Sequence, residues 1–380
     1  MKSLSVIGLT GLLAAGVVLP IATGAQAEHH ATTIAVYGDS PYGVNPTDTA
    51  QVVATPAFID SINADPNVSR VIHVGDIHSG KSFCTEAYDR TVKGLWKAFQ
   101  DPLVYTPGDN EWTDCHKTGE GGGKWNATTQ QIDYVKNADG TLADYAGGDP
   151  IANLQLVRSL FFANPGNTLG QRSEEVISQA MAFDRNFPAD KQFVENVMWE
   201  ADGIVYVTVN IPGGSNNDTD PWYGTPTMSA AQANEVAVRT AADLRWIDAG
   251  FAFAKSNDSK GIVIAEQADM WDFDGKPASH LTGYKPFVQH IAQGSLAFKN
   301  PVLLINGDSH TYKSDNPLAL TDPQSTIHNL GYDVPNFHRI VVHGSTTPLE
   351  WLRLTVDENV SNPTTATSFG PFSWERMIQS

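Results

Sequence analysis

Three short β-rich runs that each stop at Gly-Asp constrain this 380-residue chain more than any other feature. Residues 32–37 end in Gly38-Asp39, residues 70–74 in Gly75-Asp76, and residues 103–106 in Pro107-Gly108-Asp109, so the aspartates follow one another at 37 and 33 residues. Each interval has the length of one βαβ unit, and helical apolar spacing over about 53–63 and 85–99 supplies the crossovers. The three carboxylates are therefore expected at the carboxyl edge of one parallel sheet, where ligands of open α/β sheets bind.

The remainder continues the alternation. Residues 112–149, rich in Gly, Asp, Asn and Thr around Glu120-Gly121-Gly122-Gly123-Lys124, read as a long loop region. Helical patterns resume near 154–162 and 191–199. An almost fully apolar strand over 203–209 ends at Asn210, a long helix fits 230–254, and a buried strand fits 261–265. The run 301–305 leads into Asn306-Gly307-Asp308-Ser309-His310, while 337–342 and 349–356 read as late antiparallel strands. No internal repeat or composition break divides the chain, so one domain is the simpler reading.

Polar residues stand where strands stop: Asp39, Asp76, Asp109, Asn210, then Asp308 with His310. Singly, Gly-Asp after a strand is ordinary turn chemistry, with the Asp capping the next helix. Five such ends together resist that reading, because converging carboxylates repel one another and divalent cations are the usual way to offset the cost. His78 and His116 follow the second and third Gly-Asp and are within sequence reach of a substrate, although a histidine so placed is more often an ordinary surface residue.

Charge narrows the partners. With 24 Lys+Arg against 42 Asp+Glu the net charge is -18, which repels phosphate backbones and argues against a nucleic-acid polymer. A hydrophobic fraction of 41% with 17% charged residues belongs to a folded globular protein and not to a disordered acidic tail. The first segment reads as an address: Met1-Lys2, an apolar stretch over about 4–21, and Ala25-Gln26-Ala27 make residues 1–27 a cleaved secretory signal peptide. A membrane anchor or lipoprotein is the alternative, but Thr10, Pro20 and several Gly interrupt the apolar run and no Cys follows it. The product is expected to be secreted or periplasmic, with no membrane association after cleavage. Both cysteines, Cys84 and Cys115, lie in the exported part, where a disulfide is permitted; two buried free thiols are the alternative.

Gly75-Asp76, Gly108-Asp109-Asn110-Glu111, the strand-end Asn210 and Gly307-Asp308-Ser309-His310 resemble, in order, the sequence blocks of the calcineurin-like metallophosphoesterases, which include the purple acid phosphatases. That pattern runs D-x-H or D-x-G, then GD, GNHD or GNHE, a strand-end His, and GHxH. The resemblance spans roughly residues 34–312. It implies an α/β fold in four layers, two mixed β-sheets packed as a sandwich and flanked by helices, forming a single domain over 28–380. It also implies two divalent metal ions at the strand ends and a small phosphorylated substrate. In the implied mechanism both metals bind phosphoryl oxygens while a metal-bound hydroxide attacks phosphorus in line.

Carried over position by position, Asp39 matches the first-block ligand, with Tyr42 as a substitute for the missing second ligand. Asp76 matches the carboxylate that bridges both metals. Asp109 stands where the family has its metal-binding Asn, and Asn110 where it has the His that contacts phosphate. Asn210 replaces the strand-end His, Asp308 replaces the first His of the last block, and His310 matches its last. The departures favour oxygen donors, so Mn²⁺, Mg²⁺ or Ca²⁺ is expected over Zn²⁺, with iron admissible. Asn110, His78 and His116 are then the candidates for handling substrate. The reading is an exported phosphoesterase acting on small phosphate esters or anhydrides; the alternative is a secreted metal- or phosphate-binding protein of the same fold with little catalysis. Oligomeric state is not legible in the sequence.

Overall fold

The computed structural model describes residues 31–217, 220–273 and 275–379; the signal peptide expected over 1–27 lies outside the described residues. Strands β1 (Thr32–Tyr37), β2 (Val68–His73) and β3 (Leu103–Tyr105) run parallel, with Tyr37, His73 and Tyr105 in one register row. The three Gly-Asp turns thus leave one sheet edge almost level. Between them lie the helices Ala50–Asn63 and Glu86–Trp96, the second capped by the Thr85 hydroxyl accepting from Tyr88 N–H.

The expected long loop carries a two-stranded ribbon, β4 (Gly123–Asn126) with β5 (Gln131–Tyr134), and is followed by the helix Pro150–Phe161. The second sheet begins with β6 (Ile177–Ser178), β7 (Val197–Ala201) and β8 (Ile204–Thr208). Here the helix expected over 191–199 is corrected. A short 3₁₀ turn, Pro188–Gln192, gives way to β7, because Asp202 (φ 50°) and Gly203 (φ 70°) form a two-residue hairpin loop that folds Ala201 back onto Ile204.

After the helix Ala230–Ser256 come β9 (Gly261–Ala265), the helix Lys285–Phe298, β10 (Val302–Asn306), β11 (Lys313–Asp315) and β12 (Phe337–Val341). The chain then returns to the first sheet as β13 (Glu350–Val356), β14 (Asn362–Thr365), β15 (Ser368–Gly370) and β16 (Phe372–Ile378). The sheet orders are β14-β15-β16-β13-β1-β2-β3 and β11-β12-β10-β9-β8-β7-β6. The late strands each have an antiparallel partner, as expected, β12 with β11 and β13 with β16, but they lie in different sheets. β12 runs parallel to β10 in the second sheet, and β13 lies antiparallel to β1 in the first.

Side-chain alternation explains the layers. Val36, Ile72 and Leu354 of the first sheet meet Tyr206, Val263 and Ile305 of the second in a core between the sheets. Their neighbours in sequence, Ala35, Tyr37 and Val71, face outward onto Phe58, Val92 and Trp96 of the helices. On the far side Val205, Val207 and Ile262 pack on Trp246, Phe251 and Phe287. Strands buried on both faces read as continuous apolar runs, which is why they were visible in the sequence. The fold is therefore two mixed seven-stranded sheets flanked by helices, as expected.

Candidate metal centre

The turns that follow β1, β2 and β10 share an unusual backbone. Asp39 (φ 50°), Asp76 (φ 59°), Asp308 (φ 71°) and His310 (φ 59°) all occupy the left-handed region, which costs non-glycine residues of order 1–3 kcal/mol and clusters at functional sites. The result is convergence. Asp39 Oδ1 accepts from the Asp308 backbone N–H at 3.0 Å and lies 3.6 Å from His310 Nε2. Asp76 Oδ2 accepts from the Tyr42 hydroxyl at 2.6 Å and from Asn110 Nδ2 at 3.1 Å, while Tyr42 Oη in turn accepts from Asn110 Nδ2 at 2.9 Å and lies 3.4 Å from His310 Nε2. A Cβ on Gly307 would come within 2.6 Å of Asp39 Oδ2, and one on Gly108 would overlap Asp76 Oδ1, so glycine at both positions lets backbone close over the carboxylates.

Burial dominates the electrostatics. Asp39 and Asp76 are fully or almost fully buried, and loss of hydration, followed by neighbouring carboxylates, pushes both well above the usual range. Asp308 moves the same way, first by burial and then by Asp109. Burial and then Asp114 push Asp109 up to about 7. Asp39 Oδ2 has no hydrogen-bond partner at all. An orphaned buried carboxylate oxygen among like charges fits a cation, because a counter-charge removes both costs together. Asp39, Asp76 and His310 bring three ligand atoms within 4.8 Å of one another. Another group of similar spacing, His78 with Cys84 and Cys115, has its sulfurs joined as a disulfide.

Above the carboxylates opens a cavity of about 790 Å³ lined by Asp76, Asp109, Asn110, Asp308 and His310, with Tyr42, Ser79, Lys81 and Ser345–Thr347 along its walls. Six of the ten residues singled out from sequence, Tyr42 included, therefore reach one cavity, and the fully buried Asp39 touches its lining residues Asp308 and His310. The other three do not reach it. Asn210 is fully buried in a separate network, donating from Nδ2 to Glu195 Oε1 at 3.0 Å while its backbone carbonyl accepts from Arg239. His78 is fully buried beside Tyr88, and His116 Nδ1 accepts from Tyr223 N–H at 2.9 Å. Burial lowers both imidazoles to about 4, so they are neutral at pH 7.

Sequence reasoning missed Gln267, two residues beyond β9. Its Nε2 donates to Asp76 Oδ2 at 3.2 Å and to Asp109 Oδ1 at 3.0 Å, linking the second and third turns. The signal was present as the apolar run 261–265 stopping at Glu266-Gln267 on the same edge. Glu111 was quoted only as part of a motif, yet Oε1 accepts from Tyr105 Oη at 2.5 Å and Gly108 N–H at 2.6 Å, which shapes the third turn.

No family model matches the chain, and no curated protein matches it in sequence. Among solved structures, a purple acid phosphatase from yellow lupin (Lupinus luteus) seeds is similar over 93% of this chain and 52% of its own, with a TM-score of 0.43 and 11% identity. The chain thus spans about half the length of that protein.

Proposed function

We propose that the chain is an exported, metal-dependent phosphoesterase acting on small phosphate esters or anhydrides. The observation that carries this reading is the group Asp39, Asp76 and His310, with ligand atoms within 4.8 Å of one another beside a cavity of about 790 Å³. A divalent ion held there neutralises the buried carboxylates and polarises a phosphoryl group. Mn²⁺, Mg²⁺ or Ca²⁺ suits the oxygen-rich set better than Zn²⁺, with iron admissible. The chain's own residues do the rest. Tyr42 and Asn110 hold the Asp76 carboxylate by hydrogen bonds, and Lys81 places a cation on the cavity wall for an anionic substrate. Thr346 and Thr347 line the same cavity. Export rests on residues 1–27, and it agrees with the Cys84–Cys115 disulfide and with no described helix being long and apolar enough to cross a membrane.

One observation favours a second reading, a secreted metal- or phosphate-binding protein. Neither His78 nor His116 lines the cavity, so neither supplies it with a general acid. Elemental analysis of the purified protein, coupled to a phosphoester panel with each cation added back, separates the two. Cation-dependent turnover supports the phosphoesterase; bound metal or phosphate without turnover of any phosphoester supports the binder; absence of bound metal, bound phosphate and turnover overturns both. Asp76→Ala is expected to lose bound metal together with turnover, the latter on the order of 10²-fold or more.

A further inference from the structure

We infer that the centre holds a single divalent ion, at Asp39, Asp76 and His310, and that the Gln267 carboxamide occupies the place a second ion would need between Asp76 and Asp109. This inference rests on the metal-dependent reading above and departs from the two-metal expectation drawn from the sequence.

Which end of the carboxamide faces the carboxylates decides whether an ion fits there. Gln267 Oε1 accepts from the Gly213 backbone N–H at 2.6 Å, which fixes the orientation of the group. Nε2 therefore faces Asp76 Oδ2 and Asp109 Oδ1, at 3.2 and 3.0 Å. An amide nitrogen bearing two hydrogens offers a cation no lone pair; only Oε1 could ligate. Turning Oε1 toward the carboxylates would bring the NH₂ group against the Gly213 N–H, donor against donor, and would break both bonds to Asp76 and Asp109.

The side chain also has no room to swing aside. Gln267 is fully buried, its backbone carbonyl accepts from Gly307 N–H at 3.0 Å, and its Cβ lies so near Gly75 that a Cβ there would sit 2.6 Å away. Two polarised N–H bonds thus already supply positive charge to the Asp76–Asp109 side. The Asp39 side has no such donor for Oδ2, which is buried and unpartnered. Tyr42 and Asn110 also donate to Asp76, so the carboxylate oxygen left for a cation is Asp39 Oδ2.

The test is metal stoichiometry, with Mn²⁺ as the probe. The full mature protein is loaded with excess Mn²⁺, exchanged into metal-free buffer, and measured by elemental analysis and native mass spectrometry. Electron paramagnetic resonance of the same sample reports whether the ions are isolated or spin-coupled. The expected result is one equivalent per chain with the hyperfine pattern of an isolated ion. Two equivalents with an exchange-coupled spectrum would overturn the inference and leave the metal-dependent reading standing; absence of binding would overturn both. Gln267→Glu, which exchanges the NH₂ for a carboxylate oxygen, is expected to take up a second equivalent and show coupling. A folded Gln267→Glu protein, checked by circular dichroism, that still holds one isolated ion would also count against the inference. The wild-type measurement decides the matter if that variant does not fold.

Discussion

At Asn110 the side chain that faces Asp76 in the cavity is a carboxamide, which donates hydrogen bonds but gives up no proton at neutral pH. General acid assistance is worth roughly 10²–10⁴-fold and matters most for a strongly basic leaving alkoxide. Aryl phosphates and phosphoanhydrides should therefore be the better substrates, with a steep dependence of kcat/KM on leaving-group pKa. Asn110→His should flatten that dependence by raising alkyl-ester turnover selectively, on the order of 10-fold or more. A flat dependence in the wild type would sink the idea. Residue identities differ in how far the sequence exposed them. Asp39, Asp76, Asp109 and Asp308 were visible because glycine precedes each and the backbone turns there. Gln267 was placed by its strand end but its role was not legible, since an amide matches no metal motif and its orientation depends on Gly213, far away in the chain.

Among the elements, the Cys84–Cys115 bridge has the clearest consequence for the cavity. It joins the segment carrying Ser79, Gly80 and Lys81 to the one carrying Asp114, and all four residues line the cavity. Closing a loop of 31 residues is worth roughly 3–4 kcal/mol on a chain-entropy estimate. The double variant Cys84→Ser with Cys115→Ser should lose about that much stability in urea unfolding and show faster hydrogen exchange at residues 79–84. Unchanged exchange there would mean that the disulfide does not hold the wall. At this scale the parallel strands were legible because both faces are buried and the runs are apolar throughout. Residues 191–199 misled because Phe193, Val194, Val197 and Met198 recur at helical spacing although β7 begins at Val197, and the Asp202-Gly203 turn resolves it. The partner of β12 was not legible either, since a strand's sequence does not name the neighbour that topology gives it.

For the molecule as a whole, acid lability follows from histidines buried far apart. His73 ends β2 of the first sheet, His116 lies in the third-turn loop and His338 is on β12, where it stacks on Phe369 at 5.3 Å. Burial is the leading cause in each case, and each imidazole is lowered to about 4. For His338, Asp315 raises and Arg339 lowers the value, and burial outweighs both. An imidazole in the unfolded chain titrates near ~6.5. Between about 6.5 and 4 the unfolded state therefore binds the more protons, so the stability these groups leave intact at neutral pH is lost as pH falls through that window. Each contributes a slope of at most about 1.4 kcal/mol per pH unit. His338→Phe keeps a ring against Phe369 and Trp374 but cannot take a proton. Urea unfolding of wild type and variant at matched pH cancels the titration of the carboxylates, which the two proteins share. The difference in stability should shift in favour of the variant by up to about 3 kcal/mol between pH 7 and pH 4. A difference that stays constant over that range would show that His338 is not held neutral by the fold.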